Sequence, residues 1–129
     1  QGLGFDYMSD SRGHRVLEVW NRSLKYVKRI YQITREFPKE ELYGLVSQMR
    51  RSAISIPSNI AEGSTRQSTK EYIRFLYIAL GSSSELEVQL ILSRDLEYVT
   101  EEIFNELMEE REEISKMISG QIRSLKTKL

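Results

Sequence analysis

Gln48-Met49-Arg50-Arg51-Ser52-Ala53-Ile54-Ser55-Ile56-Pro57-Ser58-Asn59-Ile60-Ala61-Glu62-Gly63-Ser64-Thr65-Arg66 is the stretch whose reading decides the fold of this chain. Its apolar residues recur at helical spacing, yet it carries serines at 52, 55, 58 and 64, a proline at 57 and adjacent arginines at 50 and 51. Polar groups this dense on a buried helix are costly unless they meet partners. Gln48, Ser55, Pro57, Ser58, Asn59, Glu62 and Gly63 therefore read as a polar seam against a neighbouring helix, or as a contact surface. Pro57 removes one backbone donor and leaves the carbonyl of Ala53 without its usual partner. Because the apolar period runs on from Ile56 to Ile60, the proline predicts a kink rather than a break. Ser55, Ser58 and Asn59 are placed to supply local hydrogen bonds there.

On both sides of this stretch apolar residues recur at three and four rather than at two, so the chain reads as all-helical. Four helices are predicted, over about 12–36, 40–62, 69–94 and 101–126. Pro38 turns the chain after the first. Glu40 and Glu41 suit the first turn of the second, where the helix dipole favours acids, and Gly63 suits its C-terminal end. Ser68 and Glu71 have capping-box spacing at the start of the third, and Thr100 opens the fourth. Short connections make sequential helices antiparallel. The predicted fold is an all-α, antiparallel up-down four-helix bundle with a Pro-kinked second helix, in one domain over residues 12–126. Residues 1–11 read as a disordered leader or cloning remnant, with Met8 a natural start.

The 129 residues suit a single domain that needs no metal or disulfide to hold its core. There is no cysteine, which excludes a disulfide framework and thiolate metal sites. No run of 18 apolar residues and no signal-peptide pattern is present, so a cytoplasmic protein without a membrane span is expected. Net charge is zero but segregated. Residues 1–80 hold 13 Lys/Arg against 8 Asp/Glu, and residues 81–129 hold 6 against 11. Such a division marks either a basic binding face or two halves that attract each other.

The first helix carries two apolar stripes, one of Leu17, Trp20, Leu24, Val27 and Tyr31, the other of Val19, Tyr26, Ile30, Ile33 and Phe37. The third repeats this, with Tyr72, Phe75, Leu76, Ala79, Leu86 and Leu90 opposite Ile73, Tyr77, Leu80, Val88 and Ile91. The fourth has one stripe, of Ile103, Leu107, Ile114, Ile118 and Leu125, and glutamates elsewhere. One stripe about 100° wide suffices for a helix in a monomeric bundle. A second one left in water forfeits ~1.5–3 kcal/mol per large side chain, so a homo-oligomer is expected. Its interface would use Val19, Tyr26, Ile30, Ile33, Tyr77 and Val88. The run Ala79-Leu80-Gly81-Ser82-Ser83-Ser84 permits close helix packing.

Catalysis finds little support. His14 is the only histidine, no Glu-x-x-His pair for a di-metal bundle exists, and no glycine loop fits a phosphate cradle. No base is present to activate a serine. No enzyme activity, cofactor, metal or small-molecule substrate is expected. Arg50, Arg51, Arg66, Lys70 and Arg74 form a candidate basic patch for RNA or a ribonucleoprotein. The alternative is a protein-interaction scaffold that binds no nucleic acid. Arg51, Ser55, Ser58 and Glu62 share one helix face.

Phe37-Pro38, Glu41-Leu42-Tyr43-Gly44-Leu45, Gln48 to Ala53, Ser55-Ile56-Pro57-Ser58-Asn59-Ile60-Ala61-Glu62-Gly63, Arg66, Ser68, Ala79-Leu80-Gly81-Ser82 and Glu85-Leu86-Glu87 together resemble the 23S rRNA intervening-sequence protein family. The resemblance spans about residues 14–125, and Ser55 to Gly63 is its most specific part. It extends to the accessory variability protein of diversity-generating retroelements. It implies a four-helix bundle assembled as a pentamer and no known catalysis. For the retroelement relatives it implies nucleic-acid binding and association with a reverse transcriptase. Those relatives are strongly basic, whereas this chain is neutral with an acidic fourth helix.

Overall fold

The computed structural model describes residues 11–129. They form α1 (Ser11–Thr34), a 3-10 turn (Lys39–Glu41), α2 (Leu45–Ser64), α3 (Thr69–Asp95) and α4 (Glu101–Lys126), with no strand among them. The leader expected at residues 1–11 lies, apart from Ser11, outside the described residues. Each helix packs on its sequence neighbours and α1 closes the square against α4. Cross-helix contacts run in opposite order. Arg22 meets Glu110 and Arg29 meets Glu106, while Ser52 meets Gln89 and Ser55 meets Ser82. Adjacent helices are therefore antiparallel.

Local chemistry explains the boundaries. Ser68 Oγ accepts the Glu71 amide at 3.0 Å and Thr100 Oγ1 accepts the Ile103 amide at 3.1 Å, so both predicted N-caps form. The second helix begins five residues later than expected. Glu40 and Glu41 lie in the 3-10 turn, and Gly44 takes a non-helical conformation (φ −115°, ψ −109°). Glu41 still serves the α2 N-terminus: its carboxylate accepts the Leu45 amide at 3.1 Å and the Tyr98 hydroxyl at 2.9 Å. At the other end α2 runs through Gly63 to Ser64. Gly63 is thus a point of close approach and not a cap. A Cβ there would sit 2.9 Å from both Phe75 Cβ and Tyr72 Cδ1. Pro57 lies buried inside α2, which continues past it.

The core is built from Ile30 of α1, Met49, Ile56 and Ile60 of α2, Leu76, Leu86 and Leu90 of α3, and Leu107, Ile114 and Ile118 of α4, all essentially inaccessible to water. This corrects the expected oligomer interface. Val19, Tyr26 and Ile30 are 3%, 2% and 0% exposed and belong to the chain's own interior. Ile33 is half-buried and packs against that interior. The reason is geometric. A helix at the corner of a square bundle is covered from two sides, so α1's second stripe is consumed by α4, where the Tyr26 hydroxyl donates to the Leu107 carbonyl at 2.8 Å. Tyr77 and Val88 on α3 do remain exposed, at 49% and 57%. By length and composition α3 is apolar enough to cross a membrane. In the fold, its Tyr72, Leu76, Leu86 and Leu90 serve as core.

Candidate interaction surfaces

The signature stretch builds a polar seam between α2 and α3. Gln89 Nε2 donates to Ser52 Oγ at 3.1 Å. Ser82 donates to Ser55 Oγ at 2.7 Å, and Asn59 Nδ2 reaches both Ser55 O (2.8 Å) and Ser55 Oγ (2.9 Å). Of the predicted seam, Ser55, Asn59 and Gly63 take part. Gln48, Ser58 and Glu62 face solvent. The small-residue run of α3 divides likewise. Ala79, Ser82 and Ser83 are buried, but a Cβ on Gly81 would meet nothing within 4 Å.

A second polar cluster escaped the sequence reading. Arg111, in the middle of the acidic α4, is only 7% exposed. Its Nη1 donates to Ser83 Oγ at 3.0 Å, and its Nη2 meets Glu112 at 3.1 Å and Glu87 at 3.6 Å. Its buried Nε has no partner. The only sequence signal was a cation three residues from Ile114 and four from Leu107, on the apolar side of the helix.

The five basic residues do not form one patch. Arg50 turns inward, stacking on the Tyr31 ring at 4.4 Å and donating from Nε to Thr34 Oγ1 at 3.0 Å. Arg51 is exposed beside it. At the α2–α3 corner, Arg66 pairs with Glu62 and Arg74 with Glu71 (3.2 Å). Their guanidinium groups flank the Phe75 ring at 4.8 and 4.6 Å. Lys70 is exposed nearby. Fifteen residues of helical rise, roughly 22 Å, separate Arg51 from Arg66.

Two apolar faces stay open. Between α1 and α2, a groove of about 630 Å³ is lined by Tyr31, Leu42, Tyr43, Val46, Arg50, Arg51 and Ile54, among others. It adjoins a cleft containing Val27, Lys28 and Arg35. Tyr43 is 92% exposed and Leu42 and Ile54 more than 40%. On α3 the outward face shows Tyr77, Val88 and Leu92, with Glu85 and Asp95 also exposed on that helix. The first face is basic at its edges, whereas the second is acidic only around Val88 and Leu92, since the Lys126 ammonium donates to the Tyr77 hydroxyl at 2.9 Å at its other end.

The α1–α4 side offers a cleft of about 570 Å³ beside Tyr26. Both of its arginines are paired with glutamates. Arg22 binds Glu110 through Nε (3.1 Å) and Nη2 (2.9 Å), and Arg29 binds Glu106 at 3.0 and 3.1 Å. These hydrogen bonds raise both guanidinium pKa values. Burial holds the Tyr26 phenol well above the ordinary tyrosine range, and the hydrogen bond to Glu41 raises Tyr98. His14 is exposed. Among the described residues no group of three or more His, Asp or Glu is placed to hold a metal.

No curated protein is significantly similar to this chain. A solved structure of a protein of unknown function from the S23 ribosomal protein family of Bacteroides thetaiotaomicron shares the fold with a TM-score of 0.79. It is 30% identical, over 84% of this chain and 98% of that one. The family model of the 23S rRNA-intervening sequence proteins matches residues 15–120. Capped helices, the Ser55–Gly63 seam and these matches agree, and the chain belongs to the 23S rRNA-intervening sequence protein family.

Proposed function

We propose that this chain is a non-catalytic assembly module whose copies join head to tail, the basic groove of α1 and α2 receiving the acidic outward face of α3 of the next copy. The observation that carries this reading is the pairing of two open apolar faces with opposite charge at their edges. Leu42, Tyr43 and Ile54 stand among Lys28, Arg35 and Arg51, and Val88 and Leu92 stand near Glu85 and Asp95. Apolar patches of this kind mark contact surfaces, and complementary charge fixes which surfaces meet. Two different faces on one copy generate either a ring or a filament. The pentamer implied by the family resemblance is one such closed ring.

RNA contact draws less support. Phosphate-driven binding needs cations free to replace counterions, but Arg66 and Arg74 are paired with carboxylates and Arg50 is stacked on Tyr31. Arg51 and Lys70 remain.

Light scattering on the wild type and on Ile54→Asp and Val88→Asp tests the proposal. The wild type should exceed the monomer mass, and each variant should fall to the 15.1 kDa of one chain. Variants that keep the parental mass would remove these two faces from the interface.

A further inference from the structure

Given the head-to-tail contact, on which this rests, we infer that Tyr43 of one copy seats on Gly81 of the next, a ring over a notch that fixes the register and direction of the joint. Tyr43 is 92% exposed, the most exposed large apolar side chain among the described residues. Its backbone is nonetheless fixed. Before it, the Leu42 amide donates to the Lys39 carbonyl at 3.1 Å, and after it the Gly44 amide donates to the Glu41 carbonyl at 3.0 Å. The Glu41 carboxylate is itself held by the Leu45 amide and the Tyr98 hydroxyl. A tyrosine ring carried in water on a pinned turn loses little freedom when a partner covers it, as an interface anchor requires.

The notch is on α3. Gly81 stands in the middle of that helix on its outward side, where alanine is the better helix former. A Cβ there would meet nothing within 4 Å, so the chain's own packing does not call for glycine. One turn to either side, Tyr77 with Ile78 and Ser84 with Glu85 are exposed. They wall a gap floored by bare backbone. A flat ring can lie on that backbone, and a methyl would hold it off.

Spacing and charge agree on one direction. Ile54 lies roughly 14 Å beyond the start of α2, and Val88 and Leu92 lie roughly 10 and 16 Å beyond Gly81. With Tyr43 on Gly81, Ile54 therefore falls between Val88 and Leu92. Lys28 and Arg51 border the clefts that contain Ile54, and they come to the end of α3 that carries Glu85 and Asp95. At the other end, exposed Glu40 in the turn before Tyr43 comes to Lys126, beside Tyr77. The reverse direction would set Lys28 and Arg51 against Lys126 and Lys70, and like charges so placed are rejected.

The test isolates one joint. A full chain carrying Val88→Asp keeps its groove and one carrying Ile54→Asp keeps its α3 face, so the two form a single contact whose Kd titration calorimetry reads. Tyr43→Leu added to the first chain should weaken that contact roughly tenfold, and Gly81→Ala added to the second should weaken it by a similar factor. Both together should be no more than about twofold weaker than either alone, because each removes the same seat. The added methyl favours the helix, so affinity lost to it is not fold lost. Losses that multiply to about a hundredfold in the double would show two residues that never meet and would overturn the inference. A Kd that neither substitution moves would overturn it too, and would leave the head-to-tail contact standing. Parent chains that do not bind each other at all would overturn that contact and this inference together.

Discussion

Ser55 and Ser82 satisfy each other across the α2–α3 interface, their hydroxyl oxygens 2.7 Å apart at the middle of both helices. The signature serine is therefore a packing device. It lets two helices approach closely, and Asn59 secures it from one turn below. Removing both hydroxyls should cost less than the sum of the single losses. Ser55→Ala and Ser82→Ala are each expected to lower stability by about 1 kcal/mol, with a coupling of about 0.5–1.5 kcal/mol in a double-mutant cycle. Urea denaturation of the four proteins measures it.

Gly81, in the middle of α3, and Gly63, in the last turn of α2, should respond with opposite signs. Glycine to alanine inside a helix ordinarily gains up to ~1 kcal/mol. Gly81→Ala meets nothing within 4 Å and should realise that gain. Gly63→Ala would set its methyl 2.9 Å from Phe75 Cβ and 3.3 Å from the Tyr72 carbonyl oxygen. Overpacking there should cost about 1–3 kcal/mol. Thermal melts of the two variants should move in opposite directions from the wild type.

These glycines also show how far the sequence could be read. Four helices were legible because Ser68, Thr100 and Pro38 punctuate an unbroken helical period, and the caps form as that pattern requires. The α2 start was not, because Gly44 and the Glu41 side chain set it through a contact with Tyr98, 57 residues away. The two stripes of α1 looked like an excess of apolar surface because periodicity records the width of a buried arc and not what covers it. At a corner of the bundle, α4 does. The arginines looked like one patch because adjacency in sequence hides Tyr31, Glu62 and Glu71, which claim three of them.

Tyr26 should give the bundle a pH-dependent stability at the alkaline end. Burial raises its folded-state pKa, so the folded chain holds the phenolic proton more tightly than the unfolded chain. The contribution is fully present below the unfolded value of about 10 and is lost as pH rises above it. Tyr26→Phe should lose about 1 kcal/mol at neutral pH with the hydrogen bond to Leu107. It should then show a shallower decline above pH ~10. Denaturation curves between neutral and alkaline pH compare the two slopes.

Arg111 should tolerate an apolar replacement better than a truncation. Its Nε is already unpartnered, and its carboxylate neighbours Glu87 and Glu112 reach solvent, their side chains 43% and 56% exposed. Arg111→Met keeps the packed stem and should cost less than ~1.5 kcal/mol. Arg111→Ala opens a cavity beside Ser83 and should cost about 2–4 kcal/mol. Chemical denaturation separates these outcomes, and equal losses would show that the charge, not the stem, matters there.

The head-to-tail contact is tested most directly by the mass of an equimolar mixture of Ile54→Asp and Val88→Asp. Each variant spoils one face and keeps the other, so a mixture restores one sound joint per pair. Light scattering should find each variant alone as a single chain and the mixture as a species of twice that mass. A mixture that stays monomeric while the wild type assembles, or a wild type that is itself monomeric, would contradict the account.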